Sequence, residues 1–299
     1  MKIFDCTTFF DENLMLKVRF NILDKYVHKF IITESKFSHS GNKKKLNFKI
    51  NDFPEFKNKI IYLVIENEPE DIIYQKENNG IYEKKTDLRI NSIKRIAYQR
   101  NKIMECLSEA NENDFILYSD NDEIPNLENV NFEKNKDDII IFNQKLFYYK
   151  FNLFCDRVEW FGTKACKKKI LKSFSWLREI KAKRYPFYRL DTFFSNNKYM
   201  NIKIIDNGGW HFSQLKTPKD IEIKLLNQEH HDEYIIAKDK IPTAEELVKR
   251  KTIIYDHKAK STDYKFSKEF KLKTISLDYM PLYLRNNVDK YKEWFDFDK

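Results

Sequence analysis

The sequence predicts an α/β protein whose sheet is mostly parallel and covered by helices on both faces. Short apolar runs alternate with longer amphipathic stretches over the first two thirds of the chain. Such runs are typical of strands buried on both faces, and helical segments between them connect parallel neighbours. The 299 residues, 41% of them hydrophobic and 34% charged, are enough to bury a substantial core.

The first predicted elements follow one another closely. Apolar residues across Leu14–Ile22 recur at helical spacing, and VHKFIIT at Val27–Thr33 predicts a buried strand. A second strand, KIIYLVI, is predicted at Lys59–Ile65. Isoleucines, methionine and leucine then mark one face of a helix over about Leu88–Ala110. This order is that of repeated strand–helix units.

Two further strands complete the predicted sheet. FILYS at Phe115–Ser119 is continuously apolar, and DIIIF at Asp138–Phe142 begins another buried run. We therefore expect one α/β domain over residues 1–215. Residues 216–299 are rich in Lys and Glu at helical spacing, which predicts a mainly helical C-terminal extension packed on that domain.

Composition excludes several classes of protein. Only 5 glycines are present, and none forms GxGxxG or GxxxxGK[ST], so a dinucleotide-binding site and a P-loop are excluded. The formal net charge is +9, but the excess of Lys accompanies an excess of Asn, Ile, Phe and Tyr that is typical of an AT-rich genome. We therefore expect no nucleic-acid partner.

The sequence predicts no targeting or membrane-spanning segment. The opening MKIFDCTTFFDENL reaches acidic residues within a few positions, and no apolar run approaches about 18 residues. These features predict a cytoplasmic protein. The basic run HKAKSTDYKFSKEFKLK near the C-terminus is typical of a solvated face, and peripheral contact with anionic lipid is the alternative.

The segment FILYSDNDEIP places acidic side chains directly after a predicted strand. Asp120, Asp122 and Glu123 surround Asn121, and Pro125 ends the segment. Ligands of open α/β sheets bind beyond the carboxyl ends of strands, and clustered carboxylates attract a hard cation such as Mg²⁺ or Mn²⁺. A solvated turn is the alternative, and Asp-x-Asp at a strand end is also typical of phosphatases and nucleases.

Two of the 5 glycines, Gly208 and Gly209, directly precede Trp210 and His211. Adjacent glycines permit a positive φ and close approach of a ligand to the backbone. Trp210 offers a flat face to a sugar ring, and His211 offers a nitrogen to a metal or a phosphate. The alternative is that both side chains belong to the core.

A charged cluster, EHHDE, lies on another predicted helix. Glu229 shares a face with Asp232 and Glu233, because residues three and four apart are neighbours on a helix. Adjacent carboxylates can raise one pKa and so create a general base. A solvated helix face is the alternative.

Together these segments resemble glycosyltransferase family 17, in order and along nearly the whole chain. One departure is His39, which stands where the family carries a threonine. The segments that carry the resemblance are IFDCTTFFDENLMLKVRFNILDKYVHKFIITES, SIKRIAYQRNKI, ILYSDNDEIP, GGWHFS, KLLNQEHHDEY and MPLYLRNN.

The resemblance implies a GT-A-like, Rossmann-type fold and a metal-dependent, inverting transfer of a sugar. It implies a UDP-sugar donor, UDP-N-acetylglucosamine, and a hydroxyl of a glycan or glycolipid as acceptor. The implied cofactor is Mn²⁺ or Mg²⁺, and the implied metal ligands are Asp120, Asp122 and His211.

The resemblance also implies roles for individual residues. Those expected to bind the donor are Thr33, Glu34, Arg95, Arg100, Asp120 and Glu123. Those expected to stack on sugar rings are Trp160 and Trp210. An inverting transfer needs a carboxylate base facing the acceptor hydroxyl. The candidates for this base are Asp206, Glu229, Asp232 and Glu233.

Two other functions compete with this interpretation. A metal-dependent hydrolase of the phosphatase or nuclease type explains the acidic segment and the basic charge, but it does not explain GGWHFS. A non-catalytic basic binding protein explains only the charge, and the sequence carries no nucleic-acid-binding motif that supports it.

Overall fold

The computed structural model describes residues 1–74, 81–183, 185, 189–192, 194–199, 201–227, 231–259 and 265–297. For residues 81–85, 190, 232, 236 and 267 it describes the backbone alone. The described chain is a mixed α/β structure with a 10-stranded sheet and a separate two-stranded sheet.

Four parallel strands form one half of the large sheet: β1 (Ile3–Phe9), β2 (Lys29–Ser35), β3 (Ile60–Ile65) and β4 (Phe115–Asp120). Their order is β3–β2–β1–β4. β2 has five consecutive buried residues, the pattern of a strand covered on both faces. The three strands predicted in this half are confirmed, and β1 is an additional central strand.

The helices next to these strands are α1 (Asn13–Leu23), α2 (Ile81–Lys102) and α3 (Phe174–Glu179). α1 connects β1 to β2, and α2 precedes β4. The two helices predicted in this part are confirmed, although α2 begins earlier than expected and gives way to a short 3₁₀ turn near Cys106.

The other half of the sheet is mixed, so the predicted mostly parallel sheet is wrong in this half. Its strands are β5 (Glu123–Pro125), β6 (Ile139–Tyr148), β7 (Leu153–Lys167), β8 (Ile202–Ile205) and β9 (Gly209–Ser213). β7 is antiparallel to β4 and β6, β5 is antiparallel to β9, and β8 and β9 are parallel to β6. A tight turn with Tyr149 at φ 64° joins β6 to β7, and so short a connection requires antiparallel pairing.

The strand order creates a crevice at the carboxyl ends of β1 and β4. The chain leaves β1 for β2 on one side, whereas β4 lies on the other side. Thr8 near the end of β1 stands in register with Asp120 at the end of β4. In open α/β sheets, ligands bind at such a switch point.

A buried arginine fixes the segment after β4 to the first helix. Arg19 of α1 is fully buried, and its Nε donates to Oδ2 of Asp5 at 2.6 Å. Its Nη1 donates to the backbone oxygen of Glu123 at 2.6 Å, and its Nη2 to Oγ of Ser119 at 3.1 Å. A buried guanidinium is tolerated because its donors are paired in this way.

The C-terminal region contains both helices and strands. It comprises α4 (Pro218–Asn227), α5 (His231–Ala237), α6 (Ala244–Arg250), β10 (Thr252–Tyr255), β11 (Phe266–Lys271), β12 (Lys273–Thr274) and α7 (Leu282–Arg285). β10 and β11 form the antiparallel two-stranded sheet, and β12 pairs with β7. The proposed division at residue 215 stays a prediction. No helix in the described part of the chain has the length and apolar character needed to cross a membrane.

Candidate functional site

A cavity of about 510 Å³ lies where β1 and β4 end and where the C-terminal region covers the sheet. This volume is in the range of small-molecule sites. It is lined by segments that are far apart in the sequence. The residues predicted for the site that line it are Arg100, Asp120, Asp122, Trp160 and His211.

Asp120, the last residue of β4, is held by two arginines. Its Oδ2 accepts a hydrogen bond from Nη2 of Arg178 at 2.8 Å, and its Oδ1 accepts from Nη2 of Arg100 at 3.3 Å and from the Tyr118 hydroxyl at 3.1 Å. Burial raises the pKa of Asp120, but the two guanidinium groups outweigh burial and lower this pKa to about 2. Asp120 is therefore ionised at neutral pH, with both oxygens already accepting hydrogen bonds.

Asp122, two residues further on, has different partners. Nζ of Lys224 on α4 lies 3.2 Å from its Oδ2, and Nε2 of His211 on β9 lies 3.5 Å from its Oδ1. Burial opposes ionisation, but Lys224 and His211 outweigh it and hold the pKa of Asp122 well below its ordinary value. The same Nζ lies 3.4 Å from Oε1 of Glu12, so one ammonium group bridges two carboxylates.

Glu123 lies beneath Asp120 and Asp122 and is fully buried. Its Oε1 accepts from Nε1 of Trp160 at 2.8 Å and from Nη2 of Arg178 at 2.8 Å. Its Oε2 accepts from Nη1 of Arg178 at 3.1 Å and from the backbone N–H of Asp120 at 3.2 Å. Paired hydrogen bonds between guanidinium and carboxylate are strong and directional. Glu123 therefore supports the acidic segment from below and does not line the cavity.

His211 and Trp210 are consecutive on β9 and face opposite sides, as side chains on a strand must. His211 is buried at the cavity, with its ring centroid 4.4 Å from that of Trp160. Among the described residues its Nδ1 has no hydrogen-bond partner. Trp210 instead donates its Nε1 to the backbone oxygen of Tyr279 at 2.7 Å and lies outside the cavity lining.

The two adjacent glycines allow strands to approach each other. Gly209 has φ +127°, and a Cβ there would lie 2.1 Å from the backbone oxygen of Ile124. A Cβ on Gly208 would also lie within 2.7 Å of a backbone oxygen. The absence of a side chain at Gly209 lets β9 pair with β5, which sets His211 opposite Glu123. Gly208 instead lies against β6 and β8. Gly209 thus helps to bring the histidine to the acidic segment.

Besides Glu123, three residues expected to bind the donor lie outside the cavity lining. Thr33 and Glu34 are fully buried near the end of β2. Glu34 accepts a hydrogen bond from the Tyr62 hydroxyl at 2.9 Å, which ties β2 to β3. Arg95 pairs with Glu68. In the structure these three side chains therefore contact other parts of the protein and do not face the cavity.

Neither of the two candidate bases whose side chains are described lies at the cavity. Asp206 is exposed, and Glu233 pairs with Arg89 at 2.7 Å; neither lines the cavity. Glu229 and the side chain of Asp232 lie outside the described residues.

Sequence reasoning missed Arg178 and Lys224. Arg178 lies on α3 among the buried side chains of Phe174, Trp176 and Leu177, and a charged residue in so apolar a segment was the only available signal. Lys224 follows buried Ile221 by three residues on α4, so its position on the inward helix face was the signal.

Asp122 and His211 are the described side chains best placed to hold a divalent ion. Their Oδ1 and Nε2 atoms are 3.5 Å apart. Neighbouring ligands at about 2.1 Å in an octahedral shell lie about 3.0 Å apart, so a small side-chain movement would bring both atoms onto one ion. No group of three His, Cys, Asp or Glu side chains suited to a metal occurs in the described part of the chain. Hard cations commonly take one or two protein ligands and complete their shell with water and phosphate oxygens, so this donor set fits Mg²⁺ or Mn²⁺.

Comparisons with known proteins were made on sequence and on structure. No curated protein matches the chain in sequence. Among solved structures, the crystal structure of HddC from Yersinia pseudotuberculosis is 12% identical and aligns over 69% of this chain and 90% of that chain, with a TM-score of 0.32. A TM-score this low carries no argument. The family model described as glycosyltransferase family 17 matches residues 1–294. The chain therefore belongs to glycosyltransferase family 17, and the protein is a glycosyltransferase.

Proposed function

We propose that the enzyme transfers N-acetylglucosamine from UDP-N-acetylglucosamine to a hydroxyl of a glycan or glycolipid, with inversion at the anomeric carbon, on a GT-A-like fold. Membership of the family supports the transferase activity. The observation that supports a nucleotide-sugar donor is the pairing of Asp120 and Asp122 with three cationic side chains at the switch-point crevice.

The charge of the cavity supports a requirement for a divalent cation. Apart from the histidines, the charged residues in its described lining are three cations and three carboxylates: Arg100, Arg178, Lys224, Glu12, Asp120 and Asp122. These charges balance. A nucleoside diphosphate entering the cavity therefore brings negative charge that the described side chains do not offset, and an additional cation that enters with it would stabilise the complex.

We assign the metal to Asp122 and His211. Asp120 was expected to share this role, but its two oxygens accept hydrogen bonds from Arg100 and Arg178, and we assign it to positioning the donor. When bound, the ion would neutralise the charge that develops on the leaving diphosphate. Lys224 keeps Asp122 ionised, and Arg178 holds Asp120 and Glu123 in place around it.

For the base of the proposed reaction, two of the predicted carboxylates remain candidates. Each carboxylate in the described lining is already paired with a cation, which lowers its basicity. The predicted bases Glu229 and Asp232 lie in the sequence between Leu225 and Tyr234, which both line the cavity. We therefore retain these two carboxylates as candidates.

Hydrolysis of UDP-N-acetylglucosamine to UDP and N-acetylglucosamine, in which water replaces the acceptor hydroxyl, tests the proposal when UDP release is measured with purified enzyme in the presence and absence of Mn²⁺. We expect release that requires the metal and is lost in Asp122→Asn. Lys219→Met, on the exposed side of α4, serves as a control for nonspecific damage. Release from another nucleotide sugar alone would contradict the donor, and undiminished release by D122N would contradict the site.

A further inference from the structure

The cavity has two chemically different ends. The charged end lies at the acidic segment after β4. The other end is built by α4, α6, β10 and β11 and is lined by apolar side chains, among them Leu225, Ile241, Ala244, Leu247, Ile254 and Phe266. Most small-molecule sites combine a large apolar lining with a few polar groups in this way.

Two of the hydroxyl groups at the apolar end are paired with the protein. The Tyr148 hydroxyl shares a 2.5 Å hydrogen bond with Nε2 of His257, and the Tyr149 hydroxyl donates to the backbone oxygen of Thr252 at 3.1 Å. Burial lowers the pKa of His257 to about 4, so its ring is neutral at pH 7. Within the described lining this end therefore presents mainly ring faces and aliphatic groups to a ligand, with few polar groups among them.

One helix joins the two ends. Lys224 and Leu225 are consecutive on α4, and both line the cavity. Nζ of Lys224 reaches Asp122, whereas Leu225 belongs to the apolar cluster of the C-terminal region. A ligand whose saccharide lies beside Lys224 can therefore extend along α4 into apolar surroundings.

We infer that the acceptor is amphipathic: a saccharide that carries an apolar aglycone, which binds between α4, α6 and the β10–β11 sheet. This inference rests on the proposed function, because it assigns the acceptor of the same site. A wholly hydrophilic saccharide would lose hydration at this end and find few hydrogen-bond partners, which is unfavourable. Transfer of an apolar aglycone from water to this end of the cavity is favourable.

Binding of three glucosides tests the inference, with UDP and Mn²⁺ present to fill the donor end. The probes are methyl, n-octyl and phenyl β-D-glucopyranoside, titrated calorimetrically below the micelle concentration of the octyl compound. We expect the octyl or the phenyl glucoside to bind at least about tenfold more tightly than the methyl glucoside, the gain from burying about two methylene groups. Preference for octyl indicates a lipid aglycone, and preference for phenyl indicates an aromatic one.

Two substitutions on α6 distinguish binding inside the cavity from nonspecific association of apolar glucosides with the protein. Ala244→Leu adds a side chain inside the apolar end, whereas Glu245→Leu adds the same side chain on the exposed face one residue away. We expect A244L to abolish the preference for the apolar glucosides and E245L to retain it. If A244L fails to fold, Ile241→Asp at the half-buried edge replaces it.

The outcomes separate this inference from the proposed function. Equal binding of the three glucosides, or an unchanged preference in A244L or I241D, would overturn the amphipathic acceptor even if UDP binds. Failure of UDP to bind the wild-type enzyme with or without metal would overturn the proposed donor site. A preference for apolar glucosides in that case would still support the apolar end as a ligand site.

Discussion

Nζ of Lys224 lies 3.2 Å from Oδ2 of Asp122, although 102 residues separate the two in the sequence. This contact joins the C-terminal region to the acidic segment at the end of β4. Both partners are largely buried, with side-chain exposures of 20% and 14%. The site is therefore completed by the C-terminal region and is not confined to the strand ends.

Lys224→Met tests this contact. Removal of the ammonium leaves Asp122 and Glu12 close together without their shared cation, and an unpaired buried charge is costly. We expect the free energy of unfolding at pH 7 to fall by about 3 kcal/mol and transferase activity to be lost. The control Lys219→Met, exposed on the same helix, is expected to be neutral. Equal melting temperatures for the two variants would show that the contact contributes little.

Arg178 is predicted to position the acidic segment. Its guanidinium donates to Asp120, Glu123 and the backbone oxygen of Gly162. Lysine retains the charge but lacks the forked geometry that reaches these acceptors together. We therefore expect Arg178→Lys to lower kcat/KM by about 100-fold, corresponding to the loss of one or two charge-assisted hydrogen bonds. Retention of more than half of the activity would contradict a positioning role.

Trp160→Phe separates two roles of the tryptophan. The indole Nε1 donates to Oε1 of buried Glu123, and the ring packs against His211. Phenylalanine keeps an aromatic ring but removes the donor, so we expect a loss of about 2 kcal/mol in the free energy of unfolding. Urea denaturation measures this loss. If W160F is as stable as the wild type, the hydrogen bond to Glu123 does not contribute to folding.

Two half-buried histidines predict a dependence of stability on pH. Burial lowers the pKa of His39 and of His257 from 6.5 to about 4. Between these values the unfolded chain binds protons that the folded protein does not, so the free energy of unfolding falls as the pH decreases from about 6.5 to about 4. The unfolded chain binds at most about two more protons than the folded protein in this pH range, one for each histidine. His257→Phe should reduce the slope by about half, and an unchanged slope would exclude His257 as its source.

Gly162→Ala tests the packing beneath the acidic segment. A Cβ at this position of β7 would lie 1.9 Å from Oε1 of Gln144 and 2.9 Å from Cδ of Glu123. We expect the strand to shift and the free energy of unfolding to fall by about 2 kcal/mol, a typical cost of overpacking a core. A soluble, fully stable G162A protein would show that Gln144 moves aside without cost.

Much of the site could be predicted because strand ends meet at one edge of a sheet. The continuous apolar run before Asp120 predicted β4, and the acidic residues after it necessarily lie at its carboxyl end. GGWH singled out His211 as either a ligand of a metal or phosphate or a core side chain, and the pairing of β9 with β5 brings it to Asp122. Local patterns were sufficient for these features.

The remaining features depend on contacts between distant segments. No local pattern shows that β7 enters the sheet antiparallel between β4 and β6, or that Arg178 then reaches Asp120. Alternation on β9 turns Trp210 away from the cavity, whereas Trp160 on β7 faces it. The inward face of a strand is set by its register with neighbours, which the sequence of one strand does not specify.

Calorimetric titration of UDP-N-acetylglucosamine into the wild-type enzyme and Asp122→Asn, with and without Mn²⁺, tests the central claim most directly. If Asp122 and His211 hold the ion that accompanies the donor, the wild type binds the donor tightly only with Mn²⁺. D122N then loses at least about tenfold in affinity, equivalent to about 1.4 kcal/mol. Equal affinity of both proteins, or binding indifferent to metal, would contradict the site.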